Sequence, residues 1–529
     1  MSLIQRTVRG LPRLPNKQER AANKPQSPWQ ICRTLSRRHY MYFCVGFLAW
    51  VIDAFDFFAV SITLTRLGVQ FDGRSIADLT ESITLTLLFR SVGAVGFGVL
   101  SDRFGRRWPL SANLVCIALL ALGTALVQTY QAFLAVRALF GIMMGGIYGM
   151  AAGTALENMP TEARGLFSGI FQQGYAIGYL LAAILNLSLV AETNNWRSIF
   201  YFGACLSLLV AILRALCPES PVFLEARKND LSKPGDSLGR SAGRIYWDSL
   251  KAAFKQHWGR FVFAILLMTG EKNLPLVNKN RQWWFNFLSH GSQGKSLPYI
   301  RTSHQRDDEE ASLSSNHNRY SDRLSLPVAS GLLISLELFL TGNCGAIVGG
   351  IMGGWSSQFL GRRLAIIAMC VWTGAFIPLW ILPNSFSGLA LGAFFLQFGV
   401  QGAWGVVPIY LSEISPPACL AIFTGLTYQL GNMISAASTQ IEARASEQHR
   451  VIVNGVLVED YTVVQAALIG IVAGYIIIMT CLGKEYRGAE LAKGASAPTD
   501  ISADTWDEEY LQYKDEKEKP QKQKVQHLE

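Results

Sequence analysis

Charge is what this sequence has least of. Only 16% of its 529 residues are Asp, Glu, Lys or Arg, against about 25% in a typical soluble domain. Its 9 Cys show neither metal-ligand nor redox spacing, and no disulfide framework is expected. Most of them, such as Cys44, Cys116 and Cys370, fall inside apolar runs and read as small packing residues. No Walker-type run or Gly-rich phosphate loop with its Lys occurs. No nucleophile–base pair or His/Glu metal spacing occurs either, which leaves an intramembrane enzyme a distant reading. The glycines of the fourth apolar run resemble a dinucleotide loop only loosely and read as helix-packing residues. These shortages set aside soluble enzymes and nucleic-acid partners, and neither cofactor nor metal is expected.

Long apolar runs are present instead. Half of the residues are hydrophobic, and there are 48 Gly, a composition suited to close helix contacts in lipid. A helix crossing the ~30 Å hydrocarbon core needs ~20 mostly apolar residues. Such runs fall near Tyr40–Thr65, Ile83–Leu100, Pro109–Val127, Ala132–Gly153, Gly165–Val190 and Ser198–Leu216. After a polar stretch come Arg260–Gln293, Pro327–Trp355, Leu364–Leu382, Phe386–Leu411, Leu420–Ile441 and Val463–Leu482. The expected fold is all-α and polytopic, with twelve spans in two six-helix bundles, 40–216 and 260–482. A basic tail (1–39), a central loop (217–259) and a charged, disordered tail (483–529) flank them. Basic residues in the N-terminal tail and the second loop place both termini and the central loop in the cytoplasm. No cleavable leader is expected, because the first apolar run begins near Tyr40 and is long enough to span.

The two halves repeat. At a constant offset of 256 positions, Gly98, Ser101, Gly105, Arg106 and Arg107 match Gly354, Ser357, Gly361, Arg362 and Arg363. The same offset carries Gly146, Gly149, Glu157, Pro160, Phe167, Gly169 and Gln173 to Gly402, Gly405, Glu413, Pro416, Phe423, Gly425 and Gln429. A duplicated membrane bundle places a substrate site near the bilayer midplane, between the halves.

Gly98-Val-Leu-Ser-Asp-Arg-Phe-Gly-Arg-Arg107 resembles the loop signature between the second and third spans of the major facilitator superfamily. More narrowly, Trp50-Val-Ile-Asp-Ala-Phe-Asp-Phe-Phe58, Leu88-Phe-Arg-Ser-Val-Gly-Ala94, Arg137-Ala-Leu-Phe-Gly-Ile-Met-Met-Gly-Gly146 and Gln172-Gln-Gly-Tyr-Ala-Ile-Gly-Tyr179 resemble the fungal monocarboxylate (lactate/pyruvate) proton symporters and the sialate–proton symporters. Asn286-Phe-Leu-Ser-His-Gly-Ser-Gln293 is similar to a seventh-span signature of that family. The resemblance implies a monomeric plasma-membrane carrier that moves a short monocarboxylate with a proton by alternating access. A different organic anion, sialate-like or a dicarboxylate, and a non-transporting relative are the alternatives.

Ionisable groups inside a membrane are expensive and are functional candidates by default. Asp53 and Asp56 share one helical face and are candidates for proton coupling, or for pairing with basic residues such as Arg137. Arg90 carries a guanidinium that can hold a carboxylate by two parallel bonds. His290 titrates near neutrality and forms a polar stripe with Asn286, Ser289 and Gln293. Gln173 and Gln429 can orient a carboxylate or hydroxyl without adding charge, and Tyr428, with Phe171 and Tyr175, can shape a pocket. Asp102, Arg103, Arg106, Arg107, Arg137, Glu157, Arg164 and Glu413 are expected to gate, as latches that form in one state and break in the other. Gln358 and Leu420 replace Asp102 and Arg164 in the repeat, so a weaker second latch is expected.

Two stretches depart from the pattern. Gly270 to about residue 284, with Pro275 and several charges, interrupts the seventh span. A polar run from Gly294 to about Leu326 stands where the resembling family has an Asp. Retained non-coding sequence and a lineage-specific insertion are both open readings.

Overall fold

The computed structural model describes residue 12 and residues 26–71, 76–190, 195–224, 242–276, 341–383, 385–416, 419–448, 450–453, 456–459 and 461–486. A short helix α1 (Pro28–Thr34) leads into α2 (Arg37–Gln70), α3 (Ile76–Phe104), α4 (Arg107–Leu126) and α5 (Tyr130–Leu156). Next come α6 (Thr161–Gln172), α7 (Gly174–Leu185) with a closing π-helical turn (Asn186–Val190), and α8 (Arg197–Leu216). The second half contains α9 (Ala242–Leu276), a helix α10 over 341–360, α11 (Arg362–Ile381), α12 (Phe386–Ile414), α13 (Leu420–Gln448) and α14 (Tyr461–Leu482). Among the described residues, nine helical stretches are long and apolar enough to cross a membrane. Among the described residues the one pair of strands is a short antiparallel ribbon, β1 (Arg450–Val453) with β2 (Val456–Glu459), between α13 and α14.

Local chemistry repeats along with the sequence. Thr129 and Ser385, again 256 apart, cap α5 and α12 by accepting the backbone N–H of Ala132 and Gly388, each at 3.3 Å. Such hydroxyl caps satisfy donors that the first turn leaves unpaired. Gly105 and Gly361 both turn the chain at φ 96°, a region that side chains with a Cβ avoid. Gly93 and Gly349 make the halves' closest internal crossings. A Cβ there would stand 1.7 Å from the Ile142 carbonyl oxygen and 2.0 Å from that of Phe398. Small residues let helices approach this closely where no hydrophobic force drives them together.

Three boundaries differ from expectation. Residues 242–256, read as central loop, are the first arm of α9, which kinks at His257 (φ −116°, ψ 21°) before the span. The helix then runs through Gly270 to Leu276, so the expected interruption does not begin at Gly270. The stretch from 294 to 326 lies outside the described residues. Lys484, Glu485 and Tyr486, assigned to a disordered tail, are packed in place. Tyr410 donates its hydroxyl to the Lys484 carbonyl at 3.0 Å, and Arg260 lies over the Tyr486 ring at 5.0 Å.

Candidate functional site

The centre of the bundle buries two acids and two bases, all supplied by the first half. Asp53, Asp56, Arg90 and Arg137 are each no more than 2% exposed. The three-residue spacing turns Asp53 and Asp56 to one side of α2. Asp53 Oδ2 meets Arg90 Nη2 of α3 at 3.5 Å. The guanidinium also reaches Met144 Sδ of α5 at 3.2 Å and lies over the Phe57 ring at 5.0 Å. Asp56 accepts a hydrogen bond from Ser207 Oγ at 3.4 Å and faces the positive charge of Arg137. Arg137 in turn lies over Phe140 at 4.2 Å. Arg90 Nε and Arg137 Nε and Nη1 have no hydrogen-bond partner among the described residues. The cluster is formally neutral, which lowers the cost of burying it, yet donors are left over.

An aromatic lid closes on these charges from both halves. Tyr148 of α5 stacks on Tyr428 of α13 at 3.6 Å, and Trp50 of α2 meets both edge-on, at 5.1 and 5.7 Å. Trp404 of α12 adds a further edge at 6.0 Å. Tyr175 and Tyr428 lie within electrostatic reach of Arg90 and Asp53. The helical ladder of the fifth span breaks at Gln173, between α6 and α7, beside Trp50. Among the described residues, Gln173 Nε2 donates to the Gly169 carbonyl at 3.4 Å and Oε1 has no hydrogen-bond partner. Gln429 accepts from Asn432 Nδ2 at 2.8 Å while its own Nε2 has no partner among the described residues. Trp50 and Tyr148 were not anticipated. The Trp50-Val-Ile-Asp run and the Gly-flanked Tyr148 were signals for them. Asn286, Ser289, His290 and Gln293 lie outside the described residues.

A second charged cluster lies at the end of the bundle that bears the Gly105 and Gly361 turns. Arg106 bridges Asp102 at 3.3 Å and Glu157 at 3.2 Å. Burial pushes the Glu157 carboxyl above its ordinary range, against the pull of Arg106. Asp102 accepts the backbone N–H groups of Ala421 and Ile422, both at 3.0 Å, and so joins the first half to the start of α13. Its repeat counterpart Gln358 donates to the Thr161 carbonyl at 2.8 Å, at the start of α6. Ser168 completes the seam, donating to the Gly405 carbonyl at 2.8 Å and accepting from Ile409 N–H at 3.2 Å.

The expected weaker second latch is corrected here. Arg362 holds Glu413 through two bonds of 2.9 Å, tighter than the single Arg106–Glu157 contact. What is weaker is the contact between halves, where a neutral amide replaces a carboxylate. Arg164 donates to the Met159 carbonyl at 3.0 Å and lies in the field of Glu413 across the seam. Other expected gate residues are elsewhere. Arg137 belongs to the central cluster, Arg103 is exposed over Phe104, and Arg107 bonds the Ala215 carbonyl at 2.9 Å.

Two acids were missed altogether. Glu219 accepts the N–H groups of Arg106 and Arg107 at 3.1 and 3.0 Å, and Glu485 accepts those of Arg362 and Arg363 at 3.0 and 3.1 Å. Each stands three residues past the last helix of its half. That shared position was the available signal, hidden because the pair is out of register with the 256 offset.

Repeated half-bundles that meet around a buried neutral charge cluster, sealed at one end by matched turns, define a multi-pass membrane carrier. A family model described as sugar (and other) transporter matches residues 36–257 and 301–481, and the chain belongs to that family. Its members are transporters, not enzymes, and such a carrier has a small-molecule substrate. The chain is 32% identical over 469 residues to a carboxylic acid transporter protein homolog of Saccharomyces cerevisiae, covering 86% of this chain and 69% of that protein. It is 25% identical to the sialic acid transporter NanX of Escherichia coli, covering 73% and 82% respectively. The fold is similar to that of the major facilitator superfamily proton:xylose symporter XylE, with a TM-score of 0.58 at 17% identity over 86% of this chain and 98% of that one.

Proposed function

We propose that the chain carries short monocarboxylates, of the lactate or pyruvate kind, together with a proton by alternating access. The observation that carries this reading is the Arg90–Asp53 pair, buried beneath Trp50, Tyr148 and Tyr428, with a guanidinium donor left over. A substrate carboxylate competes with Asp53 for Arg90. It wins only when Asp53 takes a proton and gives up its claim on the cation. Anion and proton entering together keep the cluster neutral, whereas either alone leaves a net charge in a medium of low dielectric. Coupling then follows from electroneutrality. Asp56 and Arg137 hold the second neutral pair, and Gln173 and Gln429 orient the bound anion from the two halves. The substrate class draws on the carboxylic acid relative.

In this reading Asn286, Ser289, His290 and Gln293 extend the site from the seventh span. The two bundles of 40–216 and 260–482 rock about the site in the plasma membrane as a monomer. The basic loops, both termini and the central loop face the cytoplasm. A sialate-like anion is the second reading, favoured by the NanX relative.

The test is uptake of labelled lactate at pH 5 and pH 7 in cells lacking their own carboxylate carriers. Acid-stimulated uptake by the wild-type chain is expected. Arg90→Lys, which loses the planar fork, lowers it by roughly tenfold or more. Asp53→Asn abolishes the pH dependence. Sialate uptake in place of lactate shifts the substrate class. Asp53→Asn that transports with its acid stimulation intact overturns the coupling argument.

A further inference from the structure

We propose that the seam between the halves carries a built-in site for an anionic phospholipid. A cavity of about 560 Å³ opens between α3, α13 and the first arm of α9. Its walls are Val95 and Val99 from the first half, Ile422 and Leu426 from the second, and Trp247 and Phe254 from the helix that joins them. Each pair on α3 and α13 is spaced four residues apart, so each helix presents one continuous apolar stripe. Val95 and Trp247 are 41% and 48% exposed, which leaves the cavity open sideways rather than toward the central site.

Only two lining residues are charged, and both are basic. Lys251 and Lys255 are exposed, four residues apart on one face of α9. They make no hydrogen bond or ion pair with the described residues, and no acid lines the cavity among those residues. They stand just before the kink at His257, where α9 turns from its first arm into the span. The site therefore offers an acyl-sized apolar slot with paired cations at its mouth, at the depth of the membrane–water boundary. That combination fits an anionic phospholipid and no soluble anion, which has no use for the slot. A lysine near an anionic leaflet strengthens such binding by about fivefold.

The position gives the lipid something to act on. Ile422 lines the cavity and also donates its N–H to Asp102 across the closed seam. A Cβ on Gly98 would stand 2.7 Å from the Ile422 Cα, so the helices touch directly beside the cavity. A lipid that bridges α3, α13 and α9 holds the closed arrangement together and is released when the seam opens.

The test uses the full-length protein in phosphatidylcholine nanodiscs doped with a photoactivatable phosphatidylserine whose acyl chain carries the reactive group. Cross-links are expected on the peptides around Val95–Val99 and Lys251–Lys255, with photoactivatable phosphatidylcholine giving little. Lys251→Gln with Lys255→Gln lowers phosphatidylserine labelling there by about tenfold or more, while the melting temperature holds because both side chains are exposed. Val99→Trp, which fills the slot with both lysines in place, is the second variant and also removes the label. Equal labelling by the two lipids overturns the proposal. So does labelling that neither variant lowers, or a cavity that cross-linking shows filled by another segment of this chain.

Discussion

Asp102 is the single side chain whose change is expected to open the closed end most directly. Its carboxylate accepts two backbone N–H groups at the start of α13, both at 3.0 Å, and so bonds one half to the other. Asp102→Asn keeps one acceptor oxygen and loses the other, along with the negative charge at a helix N-terminus. One charge-assisted hydrogen bond contributes about 1.5–3 kcal/mol. The open population is therefore expected to rise by roughly 10- to 150-fold. Arg106 keeps Glu157 at 3.2 Å and the Ser101 carbonyl at 3.3 Å, so the first half stays folded.

Cys419 is a native reporter for this opening. It is buried, and directly precedes the α13 turn that Asp102 holds. Alkylation of its thiol, resolved peptide by peptide, follows the open population when opening is fast. Alkylation of Cys419 in the denatured protein gives the full-labelling reference. Burial, and after it the Asp102 charge, hold the Cys419 thiol above its ordinary pKa, so the charge change alone would speed labelling somewhat. Gln358→Ala separates the two effects. It removes one neutral cross-half bond, worth about 0.5–1.5 kcal/mol, without touching that charge, and is expected to speed Cys419 labelling by about two- to tenfold. Labelling unchanged in both variants, with melting temperatures intact, refutes the reasoning that these bonds hold the seam.

Glu413→Gln breaks a buried bidentate pair within one half, and removing one partner of such a pair costs about 3–5 kcal/mol. It is expected to lower the melting temperature far more than Asp102→Asn does. Gly105→Ala places a Cβ 2.2 Å from Glu219 Oε2, whereas Gly361→Ala meets Glu485 Oε2 at 3.1 Å. Both suffer the strain of φ 96°, so both destabilise, and thermal melts are expected to rank Gly105→Ala as the worse. Burial, with Arg260 nearby, holds the His257 pKa down at about 4. The unfolded chain binds the proton first, so this residue's contribution to stability is present above about pH 6.5 and lost as pH falls toward 4. His257→Gln is expected to flatten that part of the melting-temperature profile.

The repeat made much of this architecture legible. An offset of 256 that matched glycines and arginines in sequence also matches the φ 96° turns and the hydroxyl caps Thr129 and Ser385 in space. Burying Asp53, Asp56 and Arg90 could be anticipated because charge is so scarce that each ion inside a span stands out. Which partner each acid takes could not be read from the sequence. Asp53 faces Arg90 and Asp56 faces Arg137 through the packing of α2 against α3 and α5, and linear spacing does not record that. Arg137 was misplaced among gate residues for the same reason. Glu219 and Glu485 escaped because their work depends on a turn folding back three residues after a span ends. The first arm of α9 was hidden by its mixed composition, since an amphipathic arm lying at a boundary carries charges that read as loop.

The geometry also changes what kind of bond must break for the carrier to turn over. Arg106–Glu157 and Arg362–Glu413 each join residues of one half, across the same pair of repeat-related elements. A rocking of one half against the other leaves such pairs whole, so their strength is no obstacle to motion. Their buried charges brace the turns at Gly105 and Gly361 and fix where the next residues point. Among the described residues, hydrogen bonds of another kind cross: Asp102 and Gln358 reach the first turns of α13 and α6, and Ser168 reaches α12, beside the longer-range attraction of Arg164 to Glu413. Asp102 and Gln358 bond backbone at helix starts, where water can replace the partner once the seam parts, and Ser168 bonds the Gly405 carbonyl and Ile409 N–H inside α12. A buried bidentate ion pair at that seam would cost several kcal/mol to separate and would lock the carrier in one state. Close buried ion pairs inside each half, with backbone hydrogen bonds between halves, allow rigid bodies to move past one another.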